Sequence, residues 1–390
     1  MRRKTIPGQL LRLLQLISLG VLYLFIRLAA GSPMVVETFY SQKVYPFIRN
    51  AVSAVTRVLP FALAEFLLLG LLLLAAVFLI VRIVRLLFLR KEALVKLVST
   101  VITIVLTCSY LIILFYIMWG FNLYRQPVAE KLDLPEREYS AAELESVCRD
   151  LLSKAEEARL GVSLDENGIF TGDPEALKDS VTAAYSLFGA SRPSFKADVP
   201  KFKSPAFAEM LSRCGISGIY VFLTEEPVLN TDEPFLFAPF CAAHETAHYL
   251  GYAREEEANF IALLVCMDSD SAELRYSGYL HALLNCAEAL YDRDPGAYAA
   301  LRSDYSEGIL ADIRFYNDYY AKYRSGRLYS ASQDLNDSYL KFNGEEKGTR
   351  SYKEDVALIM RYYDSRRFFQ PAASALISRV PLRFQTSISS

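Results

Sequence analysis

The sequence predicts a membrane protein that is mainly α: three transmembrane helices, then a mostly helical α+β extracytoplasmic domain with a small β element. Three observations predict it. More than half of the 390 residues are apolar and mean hydropathy is positive, with the excess concentrated in the first third. That distribution points to bilayer spans rather than one large core. Charged residues become frequent from about Asn122, and no spanning run recurs. Beyond that point the apolar pattern is helical almost throughout, apart from one stretch rich in β-branched and aromatic residues.

The membrane part is residues 1–121, with spans over about 13–30, 59–81 and 97–119. The first has the basic start of a signal peptide (Arg2, Arg3, Lys4) and small residues at Ala29, Ala30 and Gly31, but Arg27 spoils a clean cleavage region. An uncleaved span is therefore expected. Arg2, Arg3, Lys4 and Arg12 precede the first span, and Arg82, Arg85, Arg90, Lys91 and Lys96 crowd the second link. The first link holds only Lys43, Arg49 and Arg57 over a longer stretch. The positive-inside rule then puts the N-terminus in the cytoplasm and everything after Trp119 outside a bacterial cell membrane. Glu65, near the outer end of the second span, reads either as functional or as a carboxyl that reaches water. The link from Gly31 to Arg57 mixes aromatics (Phe39, Tyr40, Tyr45, Phe47) with polar residues. It reads as an interfacial segment or as a loop packed on the outer domain.

The outer domain is residues 122–390. Ser140 and Glu143 form a capping box ahead of an amphipathic helix to about Arg159. Helices are predicted near Pro174–Phe188 and Pro205–Arg213, and then over Pro239–Leu250, Arg254–Met267, Ala272–Tyr291, Tyr298–Tyr323, Gln333–Phe342 and Tyr352–Ser365. Gly218–Leu229 is the best strand candidate, read either as an edge that holds an extended peptide or as a short structural hairpin, and the last dozen residues look frayed.

A net charge of −2 gives no basic excess, which argues against a nucleic-acid partner. The partners expected are the lipid bilayer and an unidentified protein or peptide substrate. Six scattered cysteines form no CxxC pair, so a cysteine metal site is not expected, and buried free thiols are.

Two of the three histidines fall in His244-Glu245-Thr246-Ala247-His248. On a helix, positions i and i+4 share a face, so both imidazoles can grip one zinc ion. Glu245 projects beside them, where it can take a proton from a zinc-bound water. A catalytic zinc usually has three protein ligands. The three-histidine arrangement needs a histidine six residues after His248, and that position is Arg254. Glu255 is the remaining choice, after a helix end at Gly251. Asn259 lies one turn on and can hold the carboxylate by a hydrogen bond. Glu257 lies nearly opposite Glu255, and its glutamate run also suits a helix N-terminus. Tyr276, Tyr279 and His281 are candidate oxyanion donors. Packing is the plainer role for each of them.

Glu255-xx-Ala258-Asn259 resembles the glutamate helix of the ImmA/IrrE metallopeptidases, and with His244–His248 it implies a zincin-like fold for the outer domain. Nearly the whole chain resembles the domain of unknown function 3810 family of bacterial membrane proteins. The residues that carry this are Ser32-Pro33, Val36-Glu37, Tyr40-Ser41, Tyr45-Pro46, Leu59-Pro60-Phe61, Trp119-Gly120-Phe121-Asn122 and Gly215-Ile216-Ser217-Gly218. Beyond the HExxH motif follow Tyr276-Ser277-Gly278-Tyr279-Leu280, Tyr339-Leu340-Lys341, Asn343-Gly344 and Ser351-Tyr352. The chain departs from the family pattern at Phe121 and Tyr249, neither of which is a proposed ligand. The resemblance implies an integral membrane protein with a peptidase domain and no known substrate.

The expected activity is zinc-dependent peptide hydrolysis, with Glu245 as general base and His244, His248 and Glu255 as ligands. The alternative is a non-enzymatic membrane sensor or assembly factor with a structural or vestigial zinc site. A transporter fits poorly, because three spans with a single intramembrane carboxyl make a poor substrate path.

Overall fold

The computed structural model describes residues 8–88, 93–342 and 355–368. Arg2, Arg3, Lys4, Arg90, Lys91, the Asn343-Gly344 and Ser351-Tyr352 pairs and the frayed tail lie outside the described residues. The chain is mainly helical, with one two-stranded sheet among the described residues.

Three helices are long and apolar enough to cross a membrane: Leu10–Ala30, Leu63–Arg85 and Leu97–Met118. At 1.5 Å per residue each covers a hydrocarbon core of about 30 Å. The first and third pack together through Leu19, Ile26, Leu106, Ile113 and Tyr116. The second presents apolar side chains such as Leu72, Leu73 and Leu74 outward along its length, as a lipid-facing helix does.

The link after the first span is neither a loop nor a simple surface segment. It is helical from Pro33, with a π-helical stretch at Val36–Val44 running into an α-helix at Tyr45–Thr56. Aromatic residues divide between its two sides. Phe39 and Phe47 are exposed, whereas Tyr40 and Tyr45 are buried with Val36, Trp119, Leu123 and Ala253 in one apolar cluster. That cluster joins the end of the third span to the domain that follows it.

In the outer domain, Ala141–Arg159 starts at the capping box expected from Ser140 and Glu143, and packs along Ala272–Arg293. The central helix is Glu255–Met267, in which every residue from Glu257 to Cys266 is buried. The helix carrying the histidine motif, Ala238–Tyr249, is buried almost as completely between it and the sheet. All six cysteines are free, and four of them are buried.

One open reading is decided and one expectation is corrected. Gly218–Leu229 is not one strand but an antiparallel hairpin, β1 (Gly218–Val221) paired with β2 (Glu226–Leu229). The turn closes at Glu225, whose φ of +52° is reached at the bend. The helix expected over Tyr298–Tyr323 is two, Pro295–Ser303 and Glu307–Arg324. Ser306 breaks the run by capping the second, its side chain accepting from the Ile309 N–H.

Glu65 has a structural role in this fold. Its two oxygens accept the backbone N–H groups of Ala206 and Phe207 at 2.7 and 2.8 Å. In return, Glu226 of β2 accepts from Leu63 and Ala64, the first residues of the second span, at 3.2 and 2.8 Å. Orphan donors at that helix start are thereby satisfied.

Candidate metal centre

The motif helix ends where its sequence has a glycine. Gly251 adopts φ +84°, and the Tyr252 N–H reaches back to the Ala247 carbonyl while the Gly251 N–H bonds His248. This is the helix-ending motif that a left-handed residue allows. The reversal turns the Tyr252 carbonyl onto Nδ1 of His248, at 2.7 Å. A carbonyl only accepts, so Nδ1 carries the proton and the Nε2 lone pair is free for a metal.

Glu255, first residue of the next helix, meets both imidazoles. Its carboxylate oxygens lie 3.3 Å from His244 Nε2 and 3.6 Å from His248 Nε2. One donor atom from each of His244, His248 and Glu255 lies within 4.8 Å of the others. The donor set of two imidazoles and one carboxylate suits zinc. Charge argues the same way. Burial penalises Glu255, yet the imidazoles pull its pKa well below the usual range. Burial lowers His248, yet Glu255 and Glu245 raise it to about 9. The trio therefore stabilises positive charge at its centre. His244 Nδ1 is buried with no hydrogen-bond partner among the described residues. His244 and Glu255 keep 12% and 14% of their side-chain surface against 8% for His248, so the group opens on their side.

Glu245 sits beside the trio in the wall formed by β1. It accepts a hydrogen bond from the Tyr220 backbone N–H. Burial raises its pKa, and His244 and His248 pull it partly back. That is the setting of a carboxylate made more basic than an exposed one, as a general base requires. Gly218 makes the fit possible. A Cβ there would lie 2.8 Å from Glu245 Cγ and Oε1 and 2.6 Å from Cys241 Sγ.

The other expected residues divide. Asn259 is buried one turn beyond Glu255, but among the described residues its side chain makes no hydrogen bond to a ligand. Glu257 faces away from the trio, accepting from the Val128 N–H at 2.8 Å and pairing with Arg254 at 3.0 Å. Tyr276 and Tyr279 are not placed as oxyanion donors. Tyr276 is buried, and its hydroxyl donates to Asp312 at 2.6 Å. Tyr279 turns toward Lys154 on the Ala141–Arg159 helix, with its ring 5.9 Å from the ammonium. His281 is the one placed near the group. It stacks on Phe240 at 3.8 Å, and Phe240 in turn neighbours His244. Burial and His244 lower its pKa to about 3, so it is a neutral donor or acceptor.

Sequence reasoning missed the residues that hold the motif helix. Each carbonyl at its end takes a donor from the membrane-proximal part. Trp119 Nε1 donates to His248 O at 3.2 Å, Tyr45 to Tyr249 O at 2.8 Å, and Arg125 to Leu250 O and Gly251 O at 3.3 and 2.9 Å. Arg125 is buried and paired with Glu37 at 2.9 Å, and Lys131 also reaches Glu37. A cation at a helix C-terminus suits the dipole. Asp355, at the start of the last described helix, was also missed. Its carboxyl feels the charge of His244, has one oxygen on Asn285 at 2.9 Å, and is raised to about 7 by burial. Only their chain-distant partners reveal these roles.

No curated protein and no solved structure is significantly similar to this chain. A family model described as "Protein of unknown function (DUF3810)" matches residues 40–360. The match takes in the second and third spans, the hairpin, both site helices and Asp355, and on it the chain belongs to the DUF3810 family.

Proposed function

We propose that this chain is a membrane-anchored, zinc-dependent metallopeptidase with a zincin-like outer domain, exposed on the outer face of a bacterial cell membrane. The observation that carries the reading is the convergence of His244, His248 and Glu255 with buried Glu245 beside them on the same helix. His244, His248 and Glu255 would hold the ion, which when bound acidifies water and polarises a carbonyl. Glu245 takes a proton at its carboxylate, in a pocket where burial already favours the protonated form. The Tyr252 carbonyl keeps the His248 ring in the liganding tautomer. His281, uncharged and stacked on Phe240 beside His244, is the side chain we assign to a developing oxyanion. An extended peptide would lie along the side of β1 that faces Glu245 rather than β2.

The test uses purified full-length chain with zinc content and peptide turnover measured together. Glu245→Gln should retain about one zinc per chain and lose at least a hundredfold in turnover. Equal turnover in parent and variant sinks the mechanism. Bound zinc with no turnover in the parent supports the sensor or assembly-factor reading instead.

A further inference from the structure

The metal group stands at the edge of the bilayer. The third span ends at Met118. Trp119, the next residue, hydrogen-bonds the His248 carbonyl, and its ring centre lies 5.9 Å from that of His248. The ends of the three spans on this side, Ala30, Leu63 and Met118, are all tied to the same body of the protein, whichever way the membrane faces.

β1 leads from the site into the membrane layer. At one end Gly218 abuts Glu245. At the other, Phe222 packs edge-on against Phe115, a residue inside the third span, at 5.3 Å. Four residues of strand cover about 13 Å. The hairpin cannot lift away, because Glu226 holds the start of the second span and Val221 and Val228 pack on Ala62 and Ala64.

The pairing also sets which edge of β1 is open. Asn230 N–H bonds Ser217 O, and Tyr220 stands opposite Pro227, which has no N–H to give. Alternation along the ladder therefore turns the backbone groups of Gly218 and Tyr220 away from β2, toward the site. The Tyr220 N–H bonded to Glu245 is one of them. An extended chain lying along this edge has one end directed at the bilayer.

We infer that the substrates of this site are polypeptides anchored in the same membrane and cut within about ten residues of their own span. The inference rests on the peptidase reading above. A folded domain of 100 residues has a radius of gyration of about 13 Å. Such a body cannot be brought up to a site this close to the lipid, whereas the extended stalk of a membrane-anchored protein already lies at that height. Anchoring also raises its effective concentration toward the millimolar range.

Two measurements on the full chain test this. Trp119 is the sole tryptophan, so its fluorescence reports both depth and metal. In phosphatidylcholine vesicles, lipids brominated near the headgroup should quench it at least twofold more than lipids brominated near the chain ends. Cobalt should quench it in the parent and not in Glu255→Ala. No quenching by either brominated lipid overturns the inference without reference to activity. For cleavage, a randomised 24-residue segment is fused to a single-span host helix in nanodiscs holding the chain, and compared with the same segment free in solution. Cuts should cluster in the first ten residues and proceed at least tenfold faster when anchored. Cuts spread evenly, or equal rates for both forms, overturn the inference and leave the peptidase reading standing. No cutting of either form sinks the peptidase reading and this one with it.

Discussion

Arg125→Met should unfold the end of the motif helix more than any ligand substitution does. The guanidinium is 5% exposed and has four short contacts: Glu37 at 2.9 and 3.0 Å, and the carbonyls of Leu250 and Gly251 at 3.3 and 2.9 Å. Removing it strands a carboxylate that is 2% exposed, with Lys131 and the neutral amide of Gln42 left beside it, and orphans two carbonyls. Breaking a buried pair costs about 3–5 kcal/mol. For a domain of this size that lowers the melting temperature by roughly 10 °C. The assay is thermal unfolding in detergent micelles, followed by Trp119 fluorescence. Combining Arg125→Met with Glu37→Gln should cost at least about 2 kcal/mol less than the sum of the singles, because neither charge is then left alone. Burial and Arg125 lower Lys131 to about 8 against the pull of Glu37, and the double variant removes both of those opposing charges, leaving burial to favour its neutral form. The pH dependence has a definite sign. Burial would raise Glu37, but Arg125 and Lys131 hold it down to about 2 against an ordinary 4.5. A depressed carboxylate stabilises above its unfolded pKa and loses that contribution as pH falls. The gap between parent and Glu37→Gln should therefore be full above pH 5 and close between about pH 4.5 and 2. A loss below about 1 kcal/mol for Arg125→Met, or strict additivity in the cycle, would refute the clamp.

Four further outcomes follow from the site and its supports. Glu255→Ala should lower zinc occupancy at least tenfold, measured by metal analysis after dialysis. Glu257→Ala should keep the zinc but lose stability by about 2 kcal/mol, since it orphans the Val128 N–H and Arg254. Gly218→Ala should keep the fold and zinc content, yet reduce turnover at least tenfold by displacing Glu245. Unchanged kcat would show that the carboxylate has room to move. Glu226→Ala leaves Leu63 and Ala64 uncapped and should cost about 1 kcal/mol in thermal unfolding, with no change at the metal group.

How much of this could be read from residues depends on the reach of each interaction. Helix spacing is local, so His244 and His248 are legible as a pair, and Gly251 as the point where their helix stops. Glu255 follows because Arg254 occupies the place a third histidine would need. Glu257 was legible too, since two positions on a helix turn a side chain by about 200°. Legibility fails at Tyr276, Tyr279 and Asn259. Their helical positions are right, but a tyrosine's partner is chosen by whichever element packs over it, and Asp312 and Lys154 come from elsewhere in the chain. The choice between one strand and a hairpin over Gly218–Leu229 stayed open for the opposite reason. Its composition suits a strand throughout, and the bend at Glu225 carries no glycine or proline to mark it.

The least legible feature has the most bearing on function. Glu37, Tyr45, Trp119 and Arg125 look like ordinary residues of a membrane interface: an aromatic belt and scattered charge. Composition cannot separate an indole resting among headgroups from one that donates to the His248 carbonyl. The two roles do not compete here, because Trp119 occupies the one residue at which the span ends and the site begins. Three donor groups from this region, Trp119 Nε1, the Tyr45 hydroxyl and Arg125 Nη1, are spent on four consecutive carbonyls, His248 through Gly251. A helix end needs only water to satisfy those carbonyls. Supplying them from the membrane-proximal segments makes the position of His248 depend on how those segments pack, so bilayer and metal group cannot move independently.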